Sequence, residues 1–115
     1  MAVYHRGKML RRVLAVEEIE GYSAQAGGVL TRAVFKWDPT KDAHVFRGRN
    51  NSYVLEERVA KVAGFTDKRQ VYAELDRRTR IIERMIELGI FDYYQVKDLI
   101  WRYYSDGVKG LPFTL

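Results

Sequence analysis

The chain has 115 residues and carries 20 lysines and arginines against 15 acidic residues, a formal charge of +5. Hydrophobic residues make up 47% and charged residues 30%, which is typical of a folded domain rather than a disordered chain. Because the sequence has no cysteine, it excludes disulfide scaffolds, thiol nucleophiles and cysteine-based metal sites. No apolar run is long enough to cross a bilayer, and the N-terminus lacks the apolar core of a signal peptide, so we expect a soluble cytoplasmic protein.

The first half of the chain predicts a small antiparallel sheet of about three strands. The segment Met9–Glu20 is rich in Val, Leu and Ile, and Gly27-Gly28 marks the turn after it. Residues Val29–Trp37 alternate in side-chain direction, as a half-buried strand does. The turn Asp38–Asp42, with proline at its second position, leads into a short strand at His44–Arg47. We therefore expect a hairpin that pairs with the preceding strand.

The second half predicts three helices, the middle one longest. Each helix begins at a capping residue and ends at a glycine; these residues are, in chain order, Ser52 and Gly64, Thr66 or Asp67 and Gly89, and Asp92 and Gly107. Apolar stripes at helical spacing are expected to be buried; they are Leu55, Val59 and Val62 in the first helix, Val71, Leu75, Ile82 and Met85 in the second, and Val96, Leu99, Ile100 and Tyr103 in the third.

These elements predict a single α+β domain over residues 1–115. It has a β-rich half, residues 1–50, then a three-helix half, residues 51–107, and a short tail, residues 108–115. The β-rich half holds nine basic and five acidic residues, whereas residues 51–115 hold eleven and ten. Most of the excess positive charge therefore lies in the β-rich half.

The sequence has no pattern that is typical of catalysis. It lacks Gly-x-Ser-x-Gly and His-Glu-x-x-His, and Gly7-Lys8 has neither the upstream glycine nor the following Ser or Thr of a phosphate-binding loop. The nearby acids Glu17, Glu18 and Glu20 are predicted to lie on a solvated strand edge, and the two histidines are predicted to lie at the surface. We expect no catalytic, cofactor-binding or metal-binding residue in this chain.

Several motifs, taken in order, resemble archaeal secretion ATPases. The stretch Phe35-Lys-Trp-Asp-Pro-Thr-Lys-Asp42 resembles a Trp-Asp-Pro hairpin of that family, and the run Arg80–Tyr93 followed by Tyr103-Tyr104 resembles its helical tail. Arg11-Arg12 followed by Val16–Ile19 resembles its Arg-Arg strand. The resemblance covers about residues 8–107 and points to the type II/type IV secretion superfamily, which drives assembly of archaella and pili.

The resemblance implies that the chain corresponds to the C-terminal, non-catalytic portion of such an ATPase. The family's phosphate-binding loop, acidic motifs and histidine motif lie before this region, so ATP and magnesium are implied only for a full-length relative. The implied partners are the motor core or neighbouring subunits and, indirectly, membrane-embedded assembly proteins. The implied location is cytoplasmic, peripheral at the membrane as part of a larger assembly.

Seven residues are candidates for contacts with a partner. Arg78 falls inside the apolar stripe of the second helix, where a guanidinium needs either an acid from the β-rich half or third helix, or a partner outside the chain. A second stripe on the third helix exceeds what one core contact needs, and Tyr and Trp are enriched at interfaces. The candidates are Arg11, Arg12, Arg78, Tyr94, Lys97, Trp101 and Tyr104.

Two alternative functions stay open at this point. The cluster Arg6, Lys8, Arg11 and Arg12, beside Tyr4, fits a free-standing nucleic-acid-binding module, although interleaved acids weaken that interpretation for the helices. The third hypothesis is a small homo-oligomeric interaction protein.

Overall fold

Five antiparallel strands and three helices confirm the predicted α+β class. The computed structural model describes all residues from 1 to 115. They divide into unit 1, Met1–Tyr72, and unit 2, Ala73–Leu115. The boundary between the units falls inside the second helix rather than near residue 50. A single domain over the whole chain stays a prediction.

Unit 1 contains two separate sheets. Its strands are β1 (Ala2–His5), β2 (Lys8–Arg11), β3 (Ala15–Ser23), β4 (Gly28–Asp38) and β5 (Ala43–Phe46). Strands β3, β4 and β5 form the predicted three-stranded sheet in that order, and β1 pairs with β2 as an additional hairpin. The predicted strand from residue 9 to residue 20 is therefore two strands, because β2 pairs with β1 whereas β3 pairs with β4.

An ion pair stands where the chain changes from one sheet to the other. The Arg12 guanidinium donates to both carboxylate oxygens of Asp42, each at 2.8 Å. The indole of Trp37 donates to the same carboxylate at 2.8 Å. The hydrogen bonds from Arg12, and then from Trp37, hold the pKa of Asp42 well below its usual range. Arg12, a candidate for partner contacts, is engaged with Asp42 inside unit 1.

We predict that Asp42→Asn lowers the thermal midpoint of the chain at neutral pH. A carboxyl whose pKa is lowered in the folded state stabilises that state above its unfolded pKa of about 4, and this contribution is lost as the pH falls. The difference in midpoint between the native chain and Asp42→Asn should therefore shrink from pH 7 to pH 3. Thermal scans over this range measure it. A difference that grows towards low pH would contradict the assigned direction.

The first helical segment departs from regular α-helical geometry. Val54–Val59 forms a π-helical turn that continues into the short helix α1, Ala60–Val62. Its start agrees with the predicted cap, because Ser52 Oγ accepts a hydrogen bond from Leu55 N at 3.0 Å. The predicted buried stripe is wrong beyond its first member: Val62 is 91% exposed and Ala60 is buried instead. The wider turn, with its i→i+5 bonds, rotates the later side chains away from 100° spacing.

A buried carboxylate on β3 holds the start of this helical segment. Glu18 is 8% exposed, and its side chain accepts hydrogen bonds from the Ser52 hydroxyl and from Tyr53 N at 3.0 Å. The amides at the start of a helix have no partner within the helix, so this carboxylate satisfies a donor that burial would otherwise leave without one. The prediction of a solvated edge is therefore wrong for Glu18.

We predict that Glu18→Ala destabilises the chain by about 1–3 kcal/mol, because the Ser52 hydroxyl and the Tyr53 amide lose a buried partner. Glu17→Ala, one residue earlier on the exposed side of β3, should stay within about 0.5 kcal/mol of the native chain. Chemical denaturation of both variants measures the difference. Equal stabilities would show that the buried contacts of Glu18 contribute nothing.

The core of unit 1 lies around the first turn of the second helix, α2 (Lys68–Glu87). Val71 and Tyr72 on this helix are buried with Ala60, and Phe46 packs against them. The Tyr72 hydroxyl donates to Glu56 at 2.6 Å. The observed helix lies within the predicted one, which ran from residue 66 or 67 to residue 88.

Unit 2 is built from the rest of α2 and the third helix, α3 (Tyr93–Asp106). Ile81 and Met85 of α2 are buried with Leu99 of α3, and Leu111 of the C-terminal segment completes this core. The predicted cap of α3 is confirmed, since the Asp92 carboxylate accepts from the amides of the second and third helical residues at 3.1 Å. No helix of the chain has the length and apolar character to span a membrane.

Candidate docking site

A groove lies between α2 and α3. Its volume is about 390 Å³. Its floor is the apolar core, and its rims are Ile82 on α2 and Ile100 on α3, which are 57% and 46% exposed. Both isoleucines belong to stripes that the sequence predicts to be buried, and the structure contradicts this prediction. The full lining is Arg78, Ile81, Ile82, Met85, Val96, Leu99, Ile100, Tyr103 and Tyr104.

Arg78 is the charged residue of this lining. Its Nε donates to Glu74, one turn earlier on the same helix, at 2.9 Å. Its guanidinium lies 5.8 Å and 5.4 Å from the ring centroids of Tyr103 and Tyr104 on α3. The expectation that an acid from the β-rich half or α3 would pair with it is wrong, because Glu74 fills that role. The side chain is 48% exposed, so a cation borders the groove.

Glu74 is a shared acceptor at one end of the groove. Its carboxylate accepts hydrogen bonds from Arg77, Arg78 and the Tyr103 hydroxyl. Burial by itself would raise the pKa of Glu74, but the bonds from Tyr103 and Arg78 outweigh it and the pKa is lowered. The pKa of Tyr103 is raised by burial and by its bond to Glu74. One carboxylate therefore faces two guanidinium groups, which leaves positive charge at this end.

The outer side of α3 continues the groove as an exposed aromatic surface. Tyr94 is 74% exposed, Trp101 70% and Tyr104 65%. Lys97 lies between them along the helix and makes no ion pair in the structure. Tyr93, which is not among the seven candidates, is also exposed and meets Tyr94 edge-on at 5.3 Å between ring centroids. We call these five residues of α3 the aromatic face.

The seven candidate residues separate into two groups. Arg78 and the four candidates on α3 lie together in unit 2, along the groove and the aromatic face. Arg11 and Arg12 belong to unit 1: Arg11 is exposed at the end of β2, and Arg12 is paired with Asp42. No group of three or more His, Asp or Glu side chains is arranged to hold a metal ion. The surface in unit 2 is suited to binding apolar side chains.

We predict that Arg78→Ala lowers stability by about 0.5–1 kcal/mol more than Arg77→Ala. Both arginines share Glu74, but only Arg78 also lies over two tyrosine rings, and an exposed cation–π contact contributes about this much. Thermal unfolding of the two variants compares them directly. Equal midpoints would show that the ring contacts of Arg78 are not stabilising.

Comparison with known proteins gives two relatives, both from Methanocaldococcus jannaschii. The chain is 62% identical over all 115 residues to the uncharacterized protein MJ0900, and it spans 21% of that protein's length. It is 28% identical over 81 residues, 70% of the chain, to the uncharacterized protein MJ1287, covering 28% of that protein. The chain thus corresponds to about a fifth of the first relative. No family model matches the chain.

Proposed function

We propose that the chain is the non-catalytic C-terminal domain of an archaeal secretion or archaellum-assembly ATPase. Its role is to pack on the motor core and to mediate contacts with neighbouring subunits during protein secretion or filament assembly. It has no ATP-hydrolysing machinery of its own. In this proposal ATP and magnesium are bound by the rest of the protein.

The observation that carries this proposal is the exposed apolar surface of unit 2. The four aromatic side chains of the aromatic face are each at least 65% exposed, and they lie beside a groove of about 390 Å³ whose lining is almost entirely apolar. Contiguous exposed apolar surface of this kind marks protein-binding sites, and Trp, Tyr and Arg supply most of the binding energy at such sites. A domain with this surface fits a role in which it is held against a larger protein body.

Two further observations support the same function. The order of motifs, from Arg11-Arg12 through the Trp-Asp-Pro hairpin to Tyr103-Tyr104, resembles the end of these ATPases. The 62% identical relative is also about five times as long as this chain, as its 21% coverage implies. That length leaves room for a complete motor in the relative. The partners in this proposal are that motor core, adjoining subunits and, through them, membrane-embedded assembly proteins at the cytoplasmic face.

We predict that the full-length relative hydrolyses ATP with magnesium, whereas the 115-residue chain does not.

A chimera that carries this chain in place of the relative's matching segment should behave like the relative. In the chimera Trp101→Ala should lower stability by about 2 kcal/mol, because the ring is covered by the core. In the isolated chain the same change should stay within about 0.5 kcal/mol, because the ring is already exposed.

Arg102→Ala is the matched control, since Arg102 lies on the same helix and pairs with Asp98 at 2.9 Å on another side. It should be near neutral in both settings. The proposal fails if the full-length relative hydrolyses no ATP, if the purified chain does so alone, or if Trp101→Ala has the same effect in both settings.

A nucleic-acid-binding role is the second candidate, and one feature of unit 1 favours it. Arg6, Lys8 and Arg11 on the β1–β2 hairpin make no ion pair, and Tyr4 beside them is 72% exposed. Phosphate contacts release counterions, so binding to single-stranded DNA or RNA would weaken steeply between 50 and 200 mM salt, by an order of magnitude or more for about three contacts. An affinity for single-stranded DNA or RNA that does not change with salt, or no binding at all, would exclude this role.

A further inference from the structure

We infer that the groove between α2 and α3 binds an amphipathic helix whose apolar stripe is flanked by carboxylates. This inference rests on the proposed function, since it identifies what the docking surface of unit 2 receives. Three properties of the groove support this inference: the shape of its walls, the hydrogen bonding of its backbone groups and the sign of its charge.

The walls of the groove are two packed helices, and their exposed rims follow helical spacing. On α3 the residues Val96, Ile100 and Tyr104 stand four apart, so they form one row about 12 Å long at 1.5 Å per residue. On α2 Ile82 and Ile86 continue the opposite rim, the latter 58% exposed. A row of this kind receives the ridge of a third helix, as in helix-in-groove recognition.

The backbone of the groove favours a helix over an extended strand. The lining residues lie within α2 and α3, where amides and carbonyls bond to one another along the helix. An extended peptide laid in this groove would find no backbone partner for its own amides and carbonyls, and burial without partners is costly. A helix satisfies its own backbone and presents side chains alone. The aliphatic rims also suit Leu and Ile side chains better than flat bases.

The charges at the surface call for an acidic occupant. Arg78 is the charged residue of the groove, and Lys97 is the charged residue of the aromatic face. The carboxylate of Glu74 is already shared between Arg77 and Arg78, and Asp98 is paired with Arg102. A partner with carboxylates beside its apolar stripe therefore complements the surface, whereas a second copy would bring its own cations against these.

The test uses two synthetic helical peptides of about 18 residues with the same leucine stripe. One has glutamates on both flanks of the stripe, and the other has lysines at the same positions. Calorimetric titration of the complete 115-residue chain should show binding of the acidic peptide and weaker or no binding of the basic one. Lys97→Glu should weaken the acidic peptide about fivefold and strengthen the basic one, by loss and reversal of an exposed ion pair.

Two further variants locate the site. Arg102→Glu makes the same charge change on another side of α3 and should alter neither affinity. Ile82→Glu removes an apolar contact and places a like charge on the rim of the groove, so it should abolish binding of the acidic peptide; Ile82 is exposed, so the fold should persist and is checked by circular dichroism.

The inference is overturned if the acidic peptide does not bind, if the basic peptide binds equally well, or if Arg102→Glu matters as much as Lys97→Glu. Sedimentation that shows a dimer abolished by Ile82→Glu would identify a second copy as the occupant and would also overturn it. These outcomes are separate from the proposed function. If the acidic peptide binds but the full-length relative hydrolyses no ATP, the result would support the groove assignment and contradict the proposed role as a domain of an ATPase.

Discussion

The organisation of unit 1 depends on a buried carboxylate that has no basic partner. Glu18 lies on the middle of β3, yet its oxygens accept from the Ser52 hydroxyl and from amides at the start of the helical segment. This carboxylate acts as a cap, because the free amides at the start of a helix attract negative charge. The cap joins residues 34 positions apart and so fixes where the helical half begins relative to the sheet.

Unit 2 follows a different rule, since a pair of helices has more apolar surface than the pair can bury. Ile81 and Met85 meet Leu99, and that contact leaves Ile82 and Ile100 at the rims of an open groove. The open groove beside exposed tyrosines and a tryptophan leaves apolar surface of the kind that partner proteins bury. The proposed packing against a motor core, through an acidic amphipathic helix, would cover that surface.

The sequence predicted what depends on local chemistry and missed what depends on packing partners. The turn residues and the caps Ser52 and Asp92 were readable because each bonds to its own neighbourhood. The burial of Glu18 could not be predicted from the sequence, since its hydrogen-bond partners lie 34 or more residues away along the chain. Periodicity marked Ile82 and Ile100 as apolar, but it could not show that the helix pair leaves that side open. The π-helical turn does not follow the 100° per residue spacing of an α-helix, so the stripe predicted for the first helix did not match the buried side chains.

The two tryptophans fall one in each unit: Trp37 lies half-buried on β4, and Trp101 lies exposed on α3. Indole emission reports the polarity around the ring, so the two residues give each unit its own optical signal. Single-tryptophan versions of the chain would show whether heat melts the units together or one after the other. Because the Trp101 ring already contacts solvent, a blue shift of its emission in a larger assembly would indicate directly that a neighbour covers it.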